Sequence, residues 1–126
     1  MKEALSKISA LLEQAANILS SKGQLSLEES LGLVDKYVGD FDSCRKELEQ
    51  IAASEKYETA EPSVQQNFKM KITELNALHQ DIIVYAGELK EIIVSEMADV
   101  HQKTKIVKNY LDRYPATISL TGKKKG

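Results

Sequence analysis

The 126-residue sequence predicts an all-α fold, an antiparallel helical bundle of three to four helices with one very long, coiled-coil-like C-terminal helix. Three observations lead there. From Pro62 to Tyr114 the chain holds no further proline and one glycine, Gly87. Its apolar residues Phe68, Ile72, Leu75, Leu78, Ile82, Tyr85, Leu89, Ile92, Met97, Val100, Val107 and Leu111 recur mostly three or four apart, the spacing that keeps side chains on one helical face. Two shorter upstream segments share this rhythm. The breaks between the segments are short, and short links make consecutive helices antiparallel.

The first segment, Lys2 to Ser20, carries Leu5, Ile8, Leu12, Ala15 and Leu19, a narrow seam rather than a broad buried face. Ser20, Ser21 and Gly23 close it, and Gly23 suits the left-handed residue that ends a helix. Ser26 followed by Glu29 reads as a capping box opening helix two, whose stripe is Leu27, Leu31, Val34, Val38, Phe41, Cys44, Leu48 and Ile51. Gly32 and Gly39 are costly there, about 1 kcal/mol each against alanine in an exposed helix. Close approach of a neighbouring backbone explains them, as does tolerance in a long element. Ser54 to Glu61 is a polar link, and Pro62 fits the first turn of helix three.

Helix one is expected to pair with helix two, and helix two with the first half of helix three, a bundle from Leu5 to about Leu89. Helix three would be roughly 75 Å long against about 42 Å for helix two, leaving roughly twenty residues, or a fourth helix if it breaks near Ser95 or Asp99, without a neighbour. That overhang is amphipathic, with Met97, Val100, Val107, Tyr110 and Leu111 near one side. An apolar face without an intrachain partner needs another protein, a second copy or a fold-back onto the bundle. The domain is placed at residues 1–114 and a basic, flexible tail at 115–126, in which Thr117 to Thr121 alternates like a short strand able to join a partner's sheet edge.

Net charge is only −2, but it is unevenly placed. From His101 onward seven basic residues meet one acidic residue, +6, and the first hundred residues carry ten against eighteen, −8. Such asymmetry suits nucleic acid, an anionic membrane surface or an acidic protein; equally, lysines at a helix C-terminus complement its dipole. A single cysteine, Cys44, cannot close an intramolecular disulfide, and no signal peptide or membrane-spanning run is read, so a cytoplasmic location is expected.

The chemistry-bearing residues argue against catalysis. Glu74 and His79, and again Glu96 and His101, are five apart, about 140° around a helix, so neither pair shares a metal as the Glu-x-x-His of di-iron bundles does. His79 reads as a partly buried spacer and His101 as solvated. The stripes lack the buried cations that helical chorismate mutases use, the residues after His101 lack the glycine of histidine phosphotransfer bundles, and no glycine loop cradles phosphate. Cys44 reads as a small buried hydrophobe. No enzyme activity, cofactor, metal or small-molecule substrate is expected, and nucleic acid and membrane are disfavoured as partners.

The two heptad-like segments, Leu5 to Leu19 and Leu27 to Ile51, and the lysine-rich run from Lys103 to Tyr110 before a polar tail together resemble the FlgN/FliT-type flagellar type III export chaperones. The resemblance implies a non-enzymatic protein that keeps a secreted filament component unassembled in the cytosol and delivers it to the export gate. By position, Met97, Val100, Val107 and Leu111 would face the client and Tyr110, or Tyr114, would dock to the gate. The alternative is a homodimeric coiled-coil adaptor in which two overhangs cover each other.

Overall fold

Local signals set the helix ends. The computed structural model describes residues 2–96 and 115–120; they form α1 (Lys2–Ser20), α2 (Leu27–Ala52), a single turn α3 (Glu55–Glu58) and α4 (Pro62–Glu96), with no strand among the described residues. Gly23 takes φ +80 in the turn after α1, the left-handed geometry a side chain would disfavour. The capping box is present: Ser26 Oγ accepts from the Glu29 amide at 3.1 Å, and the Glu29 carboxylate accepts from the Ser26 amide at 3.1 Å. Pro62 is the first residue of α4, where its missing N–H costs nothing.

The link expected to be merely polar holds α3 and ties itself to α4. Gln65 Nε2 donates to the carbonyls of Tyr57, Glu58 and Ala60, while the Tyr57 ring lies 5.5 Å from that of Phe68. One glutamine side chain thus ties three carbonyls at the end of the short turn to the first turn of α4.

α1 and α4 each run antiparallel to α2 and therefore parallel to one another. Lys7 pairs with Glu47 at 2.7 Å and Gln14 reaches Asp40, while Tyr37 of α2 meets His79 of α4. The packing differs from expectation in its closest pair: α1 lies most extensively on α4, and α2 and α4 approach each other least. Side-chain size accounts for this. α1 turns Ala4 and Ala15 inward, whereas the α2–α4 seam carries Tyr37, Phe41 and His79, and helix separation follows the bulk at the contact. α1 also buries more than a narrow seam. Ala4, Ile8, Leu11, Ala15 and Ile18 are buried, with Leu5, Leu12 and Leu19 packed beside them, because α1 serves two neighbours.

Two further expectations change. Among the described residues, a Cβ at Gly32 or Gly39 would meet nothing within 4 Å, so no described backbone approaches them. Nor does the long helix run straight to Tyr114. Pro115 lies 36 residues after His79, which a continuous helix would place about 54 Å away, yet its carbonyl sits 2.9 Å from His79 Nε2. The chain has come back along the bundle by residue 115.

Because Gly32 and Gly39 are helical and face open space, Gly32→Ala and Gly39→Ala should each raise stability by about 0.5–1 kcal/mol. This would be read as a higher urea midpoint at unchanged slope. A lower midpoint would mean that some element does press on this face.

Candidate functional site

Residues 115–120, neither helix nor strand, lie in the seam between α2 and α4. Ile118 is 3% exposed and joins the core, and Leu120 packs against it. This segment was expected as part of a flexible tail with a strand-like alternation suited to a sheet edge. It is instead seated on helices, and its main chain bonds to their side chains. Asn76 grips one residue twice, accepting from the Ile118 amide at 2.9 Å and donating to the Ile118 carbonyl at 3.0 Å. Glu49 accepts from the Ser119 amide at 2.7 Å, a short bond of the kind a charged acceptor makes. Arg45 Nε donates more loosely to the Thr117 carbonyl, 3.4 Å, and lies 3.7 Å from Glu49.

His79 stands beneath this segment with no exposure at all. Its ring stacks on Phe41 at 3.8 Å and 4°. Nδ1 is 3.0 Å from the Tyr37 hydroxyl and Nε2 is 2.9 Å from the Pro115 carbonyl. A carbonyl can only accept, so Nε2 carries the proton, and in the neutral ring Nδ1 then accepts from Tyr37. Burial favours that neutral form: it pushes the imidazole below the usual histidine range, Arg45 adds in the same direction, and the Pro115 hydrogen bond opposes both. The Tyr37 phenol is pushed up by burial and stays a donor. His79, read as a partly buried spacer, is thus a fully buried and doubly hydrogen-bonded joint.

Every residue placed in the client-binding and docking set, Met97, Val100, Val107, Tyr110 and Leu111, lies outside the described residues, as do His101 and Tyr114. Cys44 is half-buried, and burial raises its thiol pKa despite the nearby Lys7, so it is not an activated nucleophile. Among the described residues no cluster of three His, Cys, Asp or Glu could hold a metal ion, and no helix is long and apolar enough to cross a membrane. The clefts are open surface features, such as one at the α1–α2 ends lined by Glu3, Glu47 and Ser54.

His79 sits four residues after Leu75 and three before Ile82, within the α4 stripe, and that spacing is the signal for its burial. Asn76 carries no such mark. Compared with protein-family models, with curated proteins and with solved structures, the chain matches none.

The neutral His79 makes stability fall on acidification. Its folded pKa lies below the unfolded value of about 6.5, so above that value no penalty exists, and as pH drops through it the unfolded chain takes up a proton that the folded chain resists. Denaturation midpoints should decline below about pH 6.5, and His79→Gln should flatten that decline while His101→Gln does not. An NMR titration placing His79 at or above the ordinary value would contradict this.

Proposed function

We propose that the protein is a cytosolic, non-enzymatic chaperone of the flagellar export type, which holds a secreted filament component through the amphipathic run Met97, Val100, Val107 and Leu111 and docks to the export gate through Tyr110. The observation that carries the reading is the overhang of α4. Lys22, in the turn after α1, pairs with Glu88 at 3.3 Å, and α4 continues to Glu96, about 12 Å beyond the end of the neighbouring helices. On that stretch the helix is still one-sided: Ile93 is buried, so that side is covered, and Ile92 is 42% exposed. The amphipathic run follows directly and is bracketed at its far end by the seated Pro115. An amphipathic run at that place in the chain suits a client's amphipathic helix, which would pack against it as a further bundle member.

A homodimeric coiled-coil adaptor is the second reading, and it draws on a different surface. Met70 and Val84, each 63% exposed, lie two heptads apart with Ala77 between them on the outer face of α4. That is seam spacing, and burying it would take a second copy. Sedimentation as a monomer at tens of micromolar removes this reading.

Under the chaperone reading, Val107→Asp or Leu111→Asp abolishes co-purification with the junction, cap or filament protein of the same organism, while the bundle still melts cooperatively. Undiminished capture by both variants, or loss of the whole fold, would count against it.

A further inference from the structure

The α2–α4 groove recognises main chain. Asn76, Glu49, Arg45 and His79 meet the amides of Ile118 and Ser119 and the carbonyls of Pro115, Thr117 and Ile118, atoms that every extended segment presents. Side-chain selection rests on Ile118, buried in the core, and Leu120, packed beside it. They are two residues apart, and both side chains pack on the core. Arg45 and Glu49 lie against each other, so these two wall residues offset one another's charge and neither calls for a charged partner on the occupant. The specification is an extended, uncharged segment with aliphatic side chains at two alternate positions.

The segment that meets it here is tethered. Covalent attachment gives an effective concentration at the groove on roughly the millimolar scale, so residues 115–120 outcompete the same sequence free in solution. Withdrawing them would expose the apolar surface that Ile118 and Leu120 cover, a cost that disfavours an empty groove. Opening of the tethered segment therefore favours replacement over vacancy.

We propose that the α2–α4 groove is a peptide-binding site, filled in cis by residues 115–120 and able to take in their place an extended segment of another protein with aliphatic residues two apart. This site is separate from the amphipathic run at 97–111 and stands whether or not that run holds a client.

The test uses the full-length chain carrying Ile118→Asp, which ejects the tethered segment, and a fluorescein-labelled peptide of residues 114–121 read by anisotropy. The variant should bind the peptide at least about tenfold more tightly than the wild type, in which the tethered copy competes. Binding should vanish with a peptide bearing aspartate at the Ile118 position, and adding Asn76→Ala to the variant, which removes two hydrogen bonds, should weaken it by at least about tenfold. Should Ile118→Asp lose its helical circular dichroism, Ser119→Pro removes the amide that Glu49 accepts without placing a charge in the core, and it takes the same peptide. A folded variant with flat anisotropy up to about a millimolar peptide, the concentration scale of the tether, overturns the proposal, as does binding indifferent to Asn76→Ala. Concentration-dependent dimerisation of the wild type that Asn76→Ala abolishes would make a second copy the occupant and overturn it too.

Discussion

A neutral imidazole buried without exposure has two nitrogens to satisfy, and that requirement organises this bundle. Tyr37 on α2 supplies the donor for Nδ1. The acceptor for Nε2 comes from Pro115, 36 residues further along the chain. An unpaired buried N–H costs about 1–3 kcal/mol, comparable to a large part of a small domain's net stability, so the return of the chain completes the core rather than decorating it. The same joint holds α2 and α4 apart, because the stacked His79 and Phe41 rings take up the seam where aliphatic side chains would let helices close.

From this follows an asymmetric bundle. α1 and α4 lie close along an interface of alanines, leucines and isoleucines, while α2 and α4 are bridged by a peptide. The ion pairs Lys7–Glu47, between α1 and α2, and Lys22–Glu88, between the turn after α1 and α4, have both partners substantially exposed, where each adds little. Burial of Phe41, Phe68, Ile72 and Leu75 supplies the stability, and the polar grip on residues 115–119 supplies the register.

Much of this was legible in the residues. Apolar spacing located α1, α2 and α4, and Gly23, Ser26 with Glu29, and Pro62 marked their ends, because caps and breakers act through neighbours in sequence. Three things were not legible. The breadth of the face that α1 buries depends on having two neighbours, which spacing within one helix cannot count. The α1–α4 contact depends on alanines at Ala4 and Ala15, which a hydrophobic pattern scores as weak. The seat of residues 115–120 depends on Asn76, Arg45 and Glu49, polar residues that look like ordinary helix surface until an extended segment is laid against them. Gly32 and Gly39 left two explanations open, and the open space around them removes one. The residues assigned to client binding, Met97 to Leu111, lie outside the described residues, so the groove, not the overhang, is the site whose geometry is defined.

The central claim is that residues 115–120 are an integral part of the fold, and amide hydrogen exchange at Ile118 and Ser119 tests it most directly. Their N–H groups donate to Asn76 and Glu49, so the account predicts protection of the same order as that of core amides such as Ile72. Exchange at both positions at the rate of an unstructured peptide, while Ile72 remains protected, would contradict it.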